Sequence, residues 1–316
     1  MKYYTDQNNL HTRIYAMKGR LLSLKDYTSI VRDQEAFHDK ISGGHDYLET
    51  KEMIFREQTA TVIHLAEATR KYAPLFIAFL RQYEVNNAKL LLAKALGRQS
   101  LEQWYDIGPY AILNRSLLQE ELSLEDIRGI MAGTYLESVL KDISSYERLE
   151  IRVDTCATGN LYASSNRFPP EAREIFQNFM LRRIAILMIT CRWRLKENYH
   201  WSDKRIRIYL EMFNNLFGAP AWPQVRMMER DLNIRLEQMR KSGGRSPSAA
   251  DIEYHLEQYY YRWVSSMFYK DFHSVYCVIA YLLLLYYQIR NLFRIIEGLR
   301  FGLPPEAIIE RIICEA

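Results

Sequence analysis

The sequence is short of the residues that interrupt regular structure. It contains 13 glycines and 9 prolines among 316 residues. An all-β protein needs a turn about every 8–12 residues, and turns depend on glycine and proline. The shortage therefore favours a helical chain. The content of 48% hydrophobic and 25% charged residues is that of a globular protein and excludes a mostly disordered chain.

Cysteine is also scarce, and its four copies are scattered. Cys156, Cys191, Cys277 and Cys314 form no CxxC pair, so neither a zinc site nor a disulfide framework is indicated. Cys191 and Cys277 lie in apolar runs and are predicted to be buried. The first ten residues lack the apolar core of a signal peptide, which favours a reducing, cytoplasmic compartment.

Motifs that carry chemistry are missing as well. The sequence has no GxxxxGK[ST] loop, GxGxxG fingerprint, HExxH helix or DDxxD cluster. One acidic–histidine group occurs at 38–46, where a polar loop explains the same residues more simply than a metal site does. Cys156 lies in a short polar stretch without a convincing histidine partner. We therefore predict no catalytic residue, no metal and no cofactor, and an enzyme with a hidden site is the least favoured class.

The net charge of +4 is small, but one stretch is locally basic and aromatic. Basic residues interleaved with aromatic rings can hold phosphates and stack on bases. An all-α adaptor or nucleic-acid-associated scaffold is therefore the alternative function. Glu197 and Asp203 dilute the charge and no nucleic-acid motif occurs, so a solvated or partner-facing surface is favoured. The stretch comprises Arg182, Arg183, Arg192, Trp193, Arg194, Lys196, Tyr199, Trp201, Lys204, Arg205 and Arg207.

One long apolar segment has the composition of either a core helix or a membrane span. Between Asp271 and Arg290 there is no Asp, Glu, Lys or Arg. A membrane-spanning helix needs about 20 mainly apolar residues, and its tyrosines gather at the ends. Here the purely apolar part is shorter and four tyrosines are spread through it. We predict a buried core helix, part of a long helix over roughly 271–301.

Helical periodicity dominates the rest of the chain. Segment 171–197 is a long amphipathic run preceded by two prolines, where proline suits a helix start. Ser123 with Asp126 predicts a capped helix start. Residues 149–153 alternate as in a short strand, although one isolated strand cannot form a sheet. The clearest linker is 242–248, and weaker breaks lie at 38–46, 108–109 and 218–223.

Three segments share one pattern. Segments 85–92, 181–188 and 289–296 each place apolar residues at positions 0, 3, 6 and 7. Each carries a long polar residue at position 2, namely Asn87, Arg183 and Asn291. Length alone suggests about two domains, whereas this spacing suggests three units of about 100 residues. Any amphipathic helix shows the same spacing, so the pattern alone leaves repetition open.

The chain also resembles a known family. Residues 3–27, 84–94, 105–110, 289–299 and 302–306 are similar to the corresponding parts of the C subunit of the archaeal and bacterial A/V-type ATPases, whose eukaryotic counterpart is the d subunit of the V-type ATPase. The similar pieces occur at the start, in the first third and at the end of the chain. The middle repeat departs from the pattern, because arginine stands where the family has asparagine.

The resemblance implies an all-α, funnel-like molecule of three similar units around a pseudo-threefold axis. The approximate units are 1–110, 111–215 and 216–316. It implies a non-catalytic rotor subunit that couples the central axle of the soluble ATPase sector to the membrane proteolipid ring, for ATP-linked proton or sodium transport. The protein would be peripheral on the cytoplasmic face of the membrane, with no transmembrane helix, small-molecule substrate or nucleic-acid partner.

Five residues are candidates for partner or inter-helix contacts. Asn87 and Asn291 either cap or cross-link neighbouring helices near the axis, or are ordinary surface residues. Arg183 occupies the corresponding position in the middle repeat. Arg290 and Arg294 lie off the apolar stripe of the last long helix. Polar, arginine-rich contacts suit an interface that has to rearrange between parts of different symmetry.

Overall fold

The chain folds into α-helices connected by short turns. The computed structural model describes residues 7–33, 47–98, 103–140, 146–211, 221–243, 247–271 and 274–315. Within these ranges it contains twelve α-helices and no strand, so the predicted all-α class is confirmed. The helices are α1 (Gln7–Lys18), α2 (Leu24–Arg32), α3 (Tyr47–Ala68), α4 (Ala73–Ala95), α5 (Leu124–Met131), α6 (Tyr146–Ser164), α7 (Pro170–Glu197), α8 (Asp203–Glu211), α9 (Trp222–Gly243), α10 (Ala249–Phe268), α11 (Tyr276–Arg300) and α12 (Pro305–Ile309).

Helix boundaries follow local signals where those signals are strong. Helix α7 begins at Pro170, as predicted, and its 28 residues make it about 42 Å long. Helix α5 begins after Ser123, which forms the predicted capping box with Asp126. The alternating residues 149–153 lie inside α6 and form no strand. Leu149, Val153 and Cys156 of that helix are buried at helical spacing, which decides in favour of the helix.

The predicted breaks coincide with helix ends where the structure describes them. Helix α9 ends at Gly243, two residues into the predicted linker 242–248, and α10 begins at Ala249, directly after it; residues 244–246 lie outside the described residues. The break at 108–109 is a 3-10 turn. The break at 38–46 and its acidic–histidine group lie outside the described residues, as do 218–220 of the break at 218–223.

Helix α11 lies in the largest hydrophobic cluster, with residues from α3, α4, α7 and α10. It is the one described helix long and apolar enough to cross a membrane, and 83% of its most apolar window is buried within the protein. That burial supports the predicted core helix. Cys191 and Cys277 are both buried here, as predicted, and burial raises the pKa of Cys191 to about 12.

The two ends of the chain pack together. The ring of Tyr15 on α1 lies 4.8 Å from that of Phe268 on α10, measured between centroids. The backbone N–H of Leu22 donates to Gln288 Oε1 of α11 at 2.6 Å. Tyr27 of α2 is buried in a cluster with residues of α12. The first helices therefore pack on the last part of the chain. The division into three units and their threefold, funnel-like arrangement stay predictions.

Helices α11 and α12 approach each other closely at Gly298. A Cβ at this position would lie 2.6 Å from Cγ1 of Ile308, a buried and stiff side chain. We expect Gly298→Ala to lower the free energy of unfolding by about 1–3 kcal/mol because it overpacks this contact. Urea denaturation followed by circular dichroism measures the change.

Gly129 in α5 provides the matched control, since nothing lies within 4 Å of a Cβ built there. Alanine is the better helix former, so Gly129→Ala is expected to be neutral or to stabilise by up to about 1 kcal/mol. Equal effects of the two substitutions would contradict the close-approach explanation.

Candidate functional site

A polar cavity of about 430 Å³ lies between the long helices. The three helices that carry the predicted repeats, α4, α7 and α11, all contribute side chains to its wall. Helices α6 and α10 complete it, together with a lysine of α3 and residues just after α4. We call it the polar cavity. Its described charged residues are Lys51, Lys89, Arg183, Arg194, Arg290, Arg294, Asp154, Glu253, Glu257 and Glu297.

A chain of ion pairs runs along the cavity wall. Arg194 of α7 binds Asp154 of α6 at 3.1 Å and Glu253 of α10 at 2.7 Å. Arg290 of α11 binds the same Glu253 at 3.6 Å and Glu257 at 3.3 Å. Their side chains are between 19% and 45% exposed, so water reaches this network. Five charges thereby link four helices.

Arg183 of α7 contacts both of the other repeat helices. Its Nη1 donates to Gln82 Oε1 of α4 at 3.4 Å. Its guanidinium lies 4.4 Å from the ring centroid of Tyr286 on α11. The guanidinium of Arg290 approaches that same ring at 5.5 Å. Two cations thus share one aromatic ring, in a cation–π arrangement.

Glu257 is the carboxylate on which the cavity arginines converge. Burial alone would raise its pKa, but Arg290, the hydroxyl of Tyr287, Arg183 and Arg294 together lower that pKa below its ordinary value. The Tyr287 hydroxyl donates a hydrogen bond to it. Glu257 is therefore ionised at neutral pH, and several positive charges share it.

Two buried asparagines behind the cavity make matching contacts. Asn87 of α4 donates to the carbonyl of Tyr105 at 2.8 Å and accepts from its N–H at 2.9 Å. Asn291 of α11 does the same to Ile313, at 2.8 and 3.0 Å. Their exposed fractions are 0% and 1%. Each side chain clamps the backbone of a segment that returns after its helix ends.

The chain matches one protein family over nearly its whole length. A model of the ATP synthase (C/AC39) subunit family matches residues 10–311, nearly the whole chain. The chain belongs to the ATP synthase (C/AC39) subunit family. No curated protein matches the chain closely enough to be compared. The resemblance to the C and d subunits of the A/V-type ATPases is thereby confirmed.

Family membership defines the setting of the C/AC39 protein in broad terms. The family is that of an accessory component of V/A-type ATP synthases, not of a catalytic one. This protein is therefore a subunit of a rotary, membrane-associated ATPase complex. Among its described residues, no group of three or more His, Cys, Asp or Glu side chains is placed to hold a metal ion.

The five predicted contact residues of this C/AC39 protein fall into two groups. Arg183, Arg290 and Arg294 line the polar cavity. Asn87 and Asn291 are buried clamps, so the interpretation as surface residues does not fit them. All five make contacts within the chain. Their use at a partner surface stays a prediction.

Sequence reasoning missed the acidic half of the cavity. Glu253 and Glu257 are four residues apart in α10, so their side chains lie on one helix face. Two glutamates at this spacing on a tyrosine-rich helix were the sequence signal that could have indicated a shared acidic face. Asp154 offered none, because its arginine partner is 40 residues away in the chain.

The basic and aromatic stretch of the C/AC39 protein is divided among separate contacts. Arg192 binds Glu229 of α9 at 3.5 Å, whereas Arg194 lines the cavity. Lys196 binds Asp203 at 3.2 Å. Three of the basic residues are thus neutralised by separate ion pairs, which weakens the nucleic-acid alternative.

Proposed function

We propose that the protein is the non-catalytic rotor subunit that couples the central axle of the ATPase sector to the proteolipid ring. It would lie on the cytoplasmic face of the membrane and serve ATP-linked proton or sodium transport. Family membership and the single polar cavity shared by the three repeat helices support the proposal.

A coupling protein has to resist twisting, because a compliant core would absorb the torque. The connections across the polar cavity suit this requirement. Arg194 and Arg290 join α7 and α11 through the shared Glu253 of α10. Arg183 adds direct contacts between α7 and both α4 and α11. A relative shift of any of these helices would break several of these contacts together.

The cavity mouth is the surface that we assign to the axle. Arg194 and Arg290 remain 34% and 27% exposed there. Partly exposed ion pairs can exchange partners at modest cost. This property suits contact with an axle whose symmetry differs from that of the subunit. Arg290 and Arg294 are the proposed axle contacts. Arg183 holds α7 to α4 and α11, and the clamps of Asn87 and Asn291 support the helices.

The test is reconstitution with the axle and the proteolipid ring of the same complex. We expect the protein to bind both at low and moderate salt, and ATP-driven ion transport to require it. Arg290→Gln is expected to weaken axle binding about tenfold. The control Arg128→Gln changes an arginine of α5 whose side chain is 56% exposed, outside the cavity, and is expected to bind normally. Absence of binding to either partner, or transport without the protein, contradicts the proposal.

A further inference from the structure

Basic side chains outnumber acidic ones in the described lining of the polar cavity. Six basic and four acidic side chains line it among the described residues. The acidic side chains form ion pairs with Lys51, Arg194 and Arg290. Arg183 and Arg294 have no carboxylate in ion-pair contact anywhere in the described part of the chain. Among the described lining residues, basic side chains therefore outnumber acidic ones by two.

Arg183 is partly buried, as Arg294 is. Its described contacts are the neutral amide of Gln82 and the face of Tyr286. Burial alone would lower the pKa of Arg183, but Tyr286, Tyr260 and Glu257 nearby raise it, so the guanidinium stays charged. An anion in direct contact would add the ion pair that Arg183 lacks among the described residues. Its five N–H donors exceed what these two contacts use. The position is suited to a further anionic ligand.

Two buried donors line the same cavity without partners among the described residues. The hydroxyl of Tyr83 has no hydrogen-bond partner, and the residue is 4% exposed. The amide Nε2 of Gln103 is also unpartnered, and that residue is 2% exposed. Burial, with Tyr286 and Tyr105 nearby, raises the pKa of Tyr83, so its hydroxyl keeps its proton and can donate. Unpaired buried donors are uncommon in folded proteins, and a ligand in the cavity would satisfy these two.

We propose that the polar cavity binds a phosphate-type oxyanion. Arg183, the Tyr83 hydroxyl and the Gln103 amide donate hydrogen bonds to it. Arg290 and Arg294 supply the surrounding positive charge. These groups are all donors, and charge-assisted hydrogen bonds to an oxyanion are the strongest that such groups can form.

A small ion fits these donors better than a carboxylate of a partner chain does. Tyr83 and Gln103 are almost fully buried, whereas a side chain of another protein has to enter from the cavity mouth. A tetrahedral oxyanion also presents several oxygens in different directions, which matches donors that come from α4, α7 and the segment after α4. The proposal does not depend on the coupling function.

The test is a binding titration of the purified full-length protein with pyrophosphate and with inorganic phosphate at constant ionic strength. Isothermal titration calorimetry should show saturable binding of either ion, accompanied by a rise in melting temperature. Arg183→Gln is expected to weaken binding about tenfold, since it removes a charged donor. Tyr83→Phe is expected to weaken it several-fold without destabilising the unliganded protein, because its hydroxyl has no partner there.

Arg128→Gln is the control and should bind like the wild type, because the exposed Arg128 pairs, among the described residues, with Glu125 on the same helix. The proposal is overturned if chloride at equal ionic strength gives the same stabilisation. It is overturned too if Arg183→Gln, still folded by circular dichroism, binds pyrophosphate as the wild type does. Tighter binding of a glutamate-rich peptide than of pyrophosphate would assign the site to a partner instead. No axle or ring is present in this assay, so its failure leaves the coupling test unaffected.

Discussion

Replacing Glu84 with leucine is expected to lower the free energy of unfolding by about 4 kcal/mol. Glu84 is fully buried in α4. Its Oε1 accepts hydrogen bonds from the backbone N–H groups of Ile112 and Leu113, at 2.5 and 2.6 Å. Its Oε2 accepts from the hydroxyl of Tyr135. Hydrogen bonds to a charged group are each worth about 1.5–3 kcal/mol, and leucine would leave three donors unsatisfied.

The experiment is equilibrium urea denaturation followed by circular dichroism and by tyrosine and tryptophan fluorescence. Glu125→Leu is the control, because that side chain is 83% exposed and its ion pair within the described part of the chain is with Arg128, one turn away. An exposed pair of this kind contributes at most about 1 kcal/mol. Glu84→Gln keeps one acceptor oxygen and should lie between the two. A loss below about 1 kcal/mol for Glu84→Leu would show that the three hydrogen bonds are not structural.

Glu84 has this effect because it fastens a long irregular segment to a regular one. Between α4 and α5 the described chain is mostly turns, which have few backbone hydrogen bonds of their own. Ile112 and Leu113 lie in this part, and Leu113 is buried in the cluster that α4 forms with α5 and α6. The Glu84 carboxylate thus accepts hydrogen bonds from two backbone N–H groups that lie outside the α-helices and have no acceptor within a helix.

The features that the sequence predicted well depend on neighbours in the chain. The start of α7 at Pro170 and the Ser123 cap of α5 depend on residues at most four apart, so they are visible without the fold. The strand pattern at 149–153 was misleading because three apolar residues are too few to separate a period of 2 from one of 3.6. Longer runs, such as α11, left no such ambiguity.

The polar cavity was only half predictable for the same reason. Its arginines stand out in sequence because they lie beside apolar stripes or within a segment similar to the family. Their acidic partners do not stand out, because they are distant in sequence. Glu253 lies 59 residues from Arg194, and Glu257 lies 33 residues from Arg290. Which carboxylate faces which arginine is decided by how α7, α10 and α11 pack.

Substitution of Asn291 by leucine is expected to cost about 3 kcal/mol of unfolding free energy. The change removes both hydrogen bonds to Ile313, whose backbone groups would remain buried and unpaired. It also removes the oxygen that Arg294 Nη1 approaches at 3.4 Å. Asn166 provides the control, because it is exposed in a 3-10 turn and only its backbone carbonyl makes a described contact. Asn166→Leu should stay within about 0.5 kcal/mol of the wild type.

Asn87 extends the same prediction to the first repeat helix. Asn87 holds Tyr105, 18 residues further along, as Asn291 holds Ile313, 22 residues further along. If the two clamps are equivalent, Asn87→Leu should destabilise the protein by a similar amount and Asn87→Asp by less, because aspartate keeps the acceptor. Both leucine variants should also bind axle and ring more weakly, since the clamped helices line the polar cavity. If Asn291→Leu changes neither stability nor assembly, Asn291 has no structural role. The main chemical similarity between the first and third predicted repeats would then be lost as well.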